Sequence, residues 1–342
     1  MSTNNPFTIA ELAPIAGKPL LMNVDLNGSK ALQWAEENKH SINQLLLDNG
    51  ALLIRGLKLH SSKQFSKVLT ALFDEDLLSY SYRSTPRTEL KGSVYTATEY
   101  HSDQSILQHN ENSYTNHWAM NLGFMCLLPS TEGGETPICD SRTVYQQIPT
   151  AIRDKFERHG VLYMRNYSDI DLPWSEVFQT DNKAEVEAYC YENNIQFEWL
   201  ENGGLRTKQV NQAVAIHPKT KEKVWFNQAH LFHVTALPES IRNDIIALRG
   251  EENVPRNTYY GDGTPISEAD LNTIKAIYEK NMIKFSWQKG DLMLLDNMLF
   301  THGRTPFSGE RKVLVGMANP YGTEQMNREM TQTNEASALA EA

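Results

Sequence analysis

Three side chains in this chain have the types and spacing to hold a metal ion. His109 and Glu111 flank a single residue in HNENSY, and His302 stands far downstream in THGRTPF. On a strand, alternate residues share a face, so an imidazole and a carboxylate placed this way converge on one point. Two imidazoles and one carboxylate on one face of an octahedron leave other positions open, the arrangement of non-haem Fe(II) sites that react with O2. Gly303, directly after His302, lets a neighbouring backbone approach closely. His-x-Glu alone is a weak signal, because such pairs are common on protein surfaces. A second motif, His101-Ser102-Asp103, has the same spacing, and local chemistry leaves both open.

What accompanies His302 strengthens the reading. Arg311 follows it across the turn TPFSG, and a hairpin there returns the arginine to the metal's side. A guanidinium in that place takes the far carboxylate of a diacid in a two-point pair. Thr136, in GGET, offers a hydroxyl to another carboxylate oxygen. Together they describe a pocket for a small dicarboxylate that chelates the metal.

Short strands must position these residues. Ala119–Leu128 is apolar enough for a central strand, and Thr136–Cys139, Asp291–Leu295 and Lys312–Met317 read as strands around it. ALLIRG is a short buried strand after a helix over Ser29–Asn49 that Gly50 ends, and Ser61-Ser62 opens a second helix. A helix over Val144–Arg158 is divided by Pro149. Leu205–Ile216 and Ile283–Trp287 read as further strands, and residues 1–28 as an irregular arm. Residues 167–194 read as an insertion covering the barrel mouth, and the tail from about Gly322 as a frayed end or surface helix. The expected fold is mainly β with flanking helices: a double-stranded β-helix, or jelly-roll, core at about 50–320 within one domain spanning 1–342.

Composition excludes several classes. The 342 residues carry 22% charged side chains and a net charge of −10, without a long basic run, which argues against a nucleic-acid partner. No apolar run approaches the roughly 20 residues of a membrane span. The three cysteines form no CxxC pair, and the first residues show no basic or apolar leader, so a cytoplasmic protein with reduced thiols is expected.

The stretches VYTATEY, HNENSY, GGETPICDSRTVY, VWFNQAH, KGDLMLLDN and HGRTPF-x-x-x-RKVLV resemble, in this order, the taurine dioxygenase-like (TauD/TfdA) family of Fe(II)/2-oxoglutarate dioxygenases. The likeness is greatest to the branch holding clavaminate synthase and the SyrP-like amino-acid hydroxylases. It implies His109, Glu111 and His302 as iron ligands, and it sets His101 aside because TEY precedes the family's metal motif. It implies Arg311 and Thr136 as contacts to 2-oxoglutarate. Ala119 after Trp118 departs from relatives that carry proline, and the stretch from His302 to Arg311 is shorter than in some of them.

The resemblance further implies a reaction that consumes O2 and 2-oxoglutarate, releases succinate and CO2, and hydroxylates an unactivated C–H bond. Glu111 speaks against a halogenase, whose small residue at that place admits chloride. The implied substrate is an amino acid or derivative, free or tethered to a carrier protein, in a secondary-metabolite route such as antibiotic biosynthesis. Arg83, Arg87, Tyr114, Arg165, Arg206 and Asn227 are the candidate substrate contacts. Desaturation, cyclisation or epoxidation would use the same machinery, and a non-catalytic jelly-roll binding protein is the reading from another class.

Overall fold

The computed structural model describes residues 7–11, 19–79, 82, 84–85, 87–97, 100–167, 171–329 and 331. Its centre is the strand His117–Leu128, which pairs antiparallel with Leu292–Asp296 on one side and Lys312–Gly322 on the other. The full sheet has eight strands in the order Phe7–Glu11, Leu20–Val24, Ala51–Arg55, Leu292–Asp296, His117–Leu128, Lys312–Gly322, Val94–Thr96, Glu89–Leu90. Leu20–Val24 lies parallel to Ala51–Arg55, and the other pairs are antiparallel.

These strands read as nearly unbroken apolar runs because both faces of the sheet are covered. Met125, Leu292, Leu294 and Leu314 face a core shared with the helices Ala31–Asn49 and Ser62–Phe73. Their neighbours Leu122, Phe124, Met293, Leu295 and Val315 face the opposite core, which also contains Ile138 and Phe300. Helix Ser62–Phe73 begins where expected: the Ser61 hydroxyl accepts from the Gln64 N–H, satisfying one of the free amides of the first turn. The helix lies so close to the sheet that a Cβ on Gly123 would stand 2.4 Å from Leu69, and Gly123 is paired directly with Gly316.

Across the second core lies a small antiparallel sheet of Ile106–His109, Phe300–Arg304 and Ile138–Asp140, with Phe300–Arg304 in the middle. The two facing sheets form the jelly roll. A four-stranded antiparallel sheet, Gln196–Trp199, Leu205–Asn211, Val161–Tyr167 and Arg256–Tyr260, adds a third core rich in aromatic rings.

Several expectations need correction. Part of the N-terminal arm is ordered as sheet, in Phe7–Glu11 and Leu20–Val24. Ile283–Trp287 forms no strand. Ile283 alone exchanges two backbone hydrogen bonds with Ile138 (2.8 and 2.9 Å), while Phe285 and Trp287 alternate inward because the core takes their rings. Leu205–Ile216 is two strands, Leu205–Asn211 and Val214–Ile216. Pro149 does divide its helix, into Ser141–Gln147 and Thr150–His159. The last strand runs through Gly322 and leads into helix over 323–329, and most of the tail beyond lies outside the described residues.

Candidate metal centre

His109 ends the strand Ile106–His109, and His302 stands opposite it in register on Phe300–Arg304. Their ring centroids are 4.3 Å apart. Glu111 arrives differently from the expectation. The strand stops at His109, and the carboxylate projects from a turn in which Asn112 is left-handed, with φ 57°. Strand alternation therefore does not explain how His109 and Glu111 come to face the same point. Even so, one potential ligand atom from each of His109, Glu111 and His302 lies within 4.8 Å of the others. Nε2 of His302 is 3.6 Å from Oε2 of Glu111.

All three are buried, and the surroundings of His109 and Glu111 favour the forms a metal needs. Burial, then the neighbouring His302, pushes His109 down to about 3, so its imidazole is neutral. Nδ1 of His109 lies 2.8 Å from the Leu107 carbonyl, which assigns the proton to that nitrogen and leaves Nε2 with a free lone pair. Burial alone would favour the neutral acid of Glu111. The guanidinium of Arg87, donating to Oε2 at 2.7 Å, and the two imidazoles outweigh it and hold the carboxyl well below its usual range. His302 Nδ1 is buried and has no hydrogen-bond partner, so protein contacts do not saturate that ring. Two imidazoles and an ionised carboxylate, dry and within bonding reach of one centre, fit a divalent iron.

A small cavity opens beside the three. It is lined by His109, His302, Thr136, Arg87, Arg304 and Arg311, with Phe124, Ile106 and Ala97 as apolar walls. The expected hairpin after His302 does not form, because Phe300–Arg304 and Lys312–Gly322 belong to different sheets and the chain crosses between them. Phe307–Ser308 pairs with Glu132–Gly133, which brings Arg311 against the GGET segment. Arg311 Nε donates to the Gly134 carbonyl at 2.8 Å, and Nη2 donates to the Thr136 hydroxyl at 3.4 Å. A side chain at Gly134 would crowd this contact, since its Cβ would lie 3.0 Å from Arg311 Cδ and its φ is +72°. The indole of Trp287 also donates to Thr136, at 3.0 Å. The Thr136 oxygen thus accepts twice, and its own proton is left for another acceptor. Burial and the nearby Arg304 press Arg311 down to about 10, so a carboxylate brought beside it would favour its charged form.

The candidate substrate contacts fare unevenly. Arg87 is at the site, but as the partner of Glu111 rather than a cation at the mouth. Tyr114 donates its hydroxyl to the Tyr82 carbonyl and packs among aromatic rings. Arg165 is buried over the rings of Tyr82 and Tyr167. Arg206 donates to Asn166 and Asn253 at 2.8 and 2.7 Å, and both ends of the Asn227 amide are used by the Ala213 carbonyl and the Ala229 N–H. Tyr114, Arg165, Arg206 and Asn227 are not among the residues lining the cavity. Arg83 lies outside the described residues. Reading the sequence missed Trp287 and Arg304. Trp287 was visible only as an inward residue of an apolar alternation. Arg304, two residues after His302, spends its guanidinium on the carbonyls of Tyr100, His101 and Gln104.

That clamp also places the rival motif. His101 and Asp103 are exposed in the loop Arg304 holds, and neither belongs to the buried group. His101→Ala is expected to keep iron affinity within about twofold, as surface changes usually do. Isothermal titration under anaerobic conditions checks this, and loss of iron binding would move the site to His101.

The model for the family described as "Taurine catabolism dioxygenase TauD, TfdA family" matches residues 8–318. Among characterised proteins, the dapdiamide synthesis protein DdaC of Enterobacter agglomerans is 38% identical over 307 residues, 90% of this chain and 93% of that one. A clavaminate synthase-like protein of Arabidopsis thaliana is 32% identical over 298 residues, 83% of this chain and 86% of that one. The crystal structure of PvcB from Pseudomonas aeruginosa superposes with a TM-score of 0.53 at 13% identity, over 93% of this chain and 92% of that one. AAD-2, solved with Mn(II) and N-oxalylglycine, gives 0.52 at 12% identity, over 94% and 99%. These two structures share the fold.

The chain belongs to the TauD/TfdA family. It is an oxygenase, and its cofactors are those of that class, Fe(II) and 2-oxoglutarate with O2.

Proposed function

We propose that His109, Glu111 and His302 hold the iron, that Arg311 and Thr136 anchor 2-oxoglutarate, and that the enzyme hydroxylates an amino acid or amino-acid derivative in a secondary-metabolite pathway. The observation that carries the reading is the convergence of the three buried ligand atoms, within 4.8 Å of one another, beside a cavity that His109, His302, Arg311 and Thr136 line together. The relative DdaC, named for dapdiamide synthesis, supports the pathway class, as does the fold neighbour PvcB, described as an oxygenase from an isonitrile synthetic pathway.

Bound iron and 2-oxoglutarate supply the oxidation, converting the diacid to succinate and CO2 while O2 delivers oxygen to a C–H bond. The chain's own residues supply position and environment. Arg311, fixed by the Gly134 carbonyl, takes the distal carboxylate of the diacid in a charge-assisted pair. Thr136, fixed by Trp287, donates its remaining proton to a carboxylate oxygen. Arg87 keeps Glu111 ionised in a dry site. Phe124, Ile106 and Ala97 restrict water beside the reacting groups. The helices Trp174–Phe178 and Lys183–Glu192 serve as cover for the substrate side. Phe178 and Tyr189 pack on Tyr82, whose carbonyl holds Tyr114, near Glu111 in the chain.

The test is succinate release from 2-oxoglutarate over a panel of amino acids, offered free and loaded on a carrier protein. A substrate stimulates succinate formation and gains the mass of one oxygen. Loss of two hydrogens assigns desaturation or ring closure instead. No stimulated turnover with any member would exclude amino acids, free or carrier-bound, as the substrate.

A further inference from the structure

The turn carrying Glu111 needs something to aim it, because the strand has already ended. The structure assigns this to Asn297, and we infer that Asn297 is a positioning residue for the carboxylate ligand. This rests on the proposed ligand set and adds the residue that fixes its geometry.

Asn297 sits in the turn that crosses from Leu292–Asp296 in the eight-stranded sheet to Phe300–Arg304 in the three-stranded sheet, and so leads directly into the strand that carries His302. It is fully buried. Its side-chain amide reads the backbone of Glu111 at both ends. Oδ1 accepts from the Glu111 N–H at 2.7 Å, and Nδ2 donates to the Glu111 carbonyl at 2.9 Å. The second proton on Nδ2 goes to the Ala119 carbonyl at 2.8 Å. The backbone of Asn297 continues the clamp. Its N–H donates to the Met120 carbonyl at 2.8 Å, and its carbonyl accepts from the Asn110 side chain at 2.6 Å. Asn110 is the residue between the two ligands, and its own carbonyl accepts from Gln228 at 2.8 Å.

The geometry has one consequence for the metal. His302 and Glu111 are remote in sequence, yet the turn that leads into the strand of the first grips the backbone of the second. With both polar groups of residue 111 fixed, its φ and ψ have little freedom, and the carboxylate is aimed before any metal arrives. An amide is required, since the position must accept one hydrogen bond and donate two. Aspartate has the same shape and cannot donate, and it would set a carboxylate against two carbonyls.

The experiment compares Asn297→Asp and Asn297→Ser with wild type and with Asp296→Asn. Asp296 caps the same turn through Met298 and Leu299 and pairs with His217, without touching Glu111. Two readouts are taken on folded protein: Fe(II) affinity by anaerobic titration, and the ligand-field spectrum of the Co(II)-loaded protein. Both Asn297 variants are expected to bind Fe(II) about tenfold or more weakly, the range for losing a group that orients a metal ligand, with an altered Co(II) spectrum. Asp296→Asn is expected to lose thermal stability while keeping the wild-type affinity and spectrum. Wild-type affinity and spectrum in either folded Asn297 variant overturn the inference while leaving the ligand set intact. Equal loss in Asp296→Asn, or failure of both Asn297 variants to fold, also overturns it, by assigning the residue to the turn as a whole. Absence of iron binding in the wild type would instead sink the ligand set itself.

Discussion

Replacing His109, Glu111 or His302 by alanine is expected to abolish iron-dependent formation of succinate from 2-oxoglutarate. Each supplies one of three protein donors, so iron affinity should fall by more than the roughly 100-fold upper range for losing a supporting group. The three variants should differ in stability, which separates loss of the metal from loss of the fold. Glu111 and Arg87 form an ion pair in which each side chain is only 3% exposed. Removing one member of such a pair strands the other's charge, at a cost of about 3–5 kcal/mol. Glu111→Ala should therefore melt earlier than wild type even without metal. His109→Ala removes a neutral ring and should melt close to the metal-free wild type. Calorimetry with and without a chelator reads both effects. Succinate formation at the wild-type rate in any of the three would remove that residue from the ligand set.

Arg311→Met should act on 2-oxoglutarate rather than on iron. The arginine is held by the Gly134 carbonyl and Thr136, and burial together with Arg304 has already lowered its proton affinity. An incoming carboxylate satisfies it. Hydrogen bonds to charged groups contribute about 1.5–3 kcal/mol, so the KM for 2-oxoglutarate should rise by about 10- to 100-fold. Fe(II) affinity measured without 2-oxoglutarate should stay near wild type, because Arg311 takes no part in the ligand set. An unchanged KM would show that another cation, Arg304 or Arg87, receives the distal carboxylate.

Much of the site could be read from the chain because its chemistry is local. The donor types of His109, Glu111 and His302, the turn returning Arg311 and the hydroxyl of Thr136 are each visible in a few residues. What escaped depends on contacts between distant segments. Glu111 was expected on a strand, and only the structure shows that the strand stops and that Asn297 takes over the aiming. Arg87 stands in the sequence as a candidate substrate contact, because nothing there shows that Glu111 lies against it. Arg206 and Asn227 were polar residues near motifs, and their side chains turn out to tie loops and caps. The same holds for the fold. Ala51–Arg55 and His117–Leu128 announce themselves as buried strands by composition. Ile283–Trp287 has the alternation of a strand, but its rings enter the core while most of its backbone finds no ladder. The N-terminal strands escaped because each is only five residues long, and Leu20–Val24, though apolar, is a short run whose pairing with Ala51–Arg55 depends on a distant segment.

The central claim is that HNE and the distant His302 build one iron site that takes 2-oxoglutarate. Anaerobic absorption titration tests it most directly, adding Fe(II) and then 2-oxoglutarate to wild type, His109→Ala and His101→Ala. The account predicts a metal-to-ligand charge-transfer band in wild type and His101→Ala, saturating at one equivalent of iron, and none in His109→Ala. A band in His109→Ala that disappears in His101→Ala, or no band in the wild type, would contradict it.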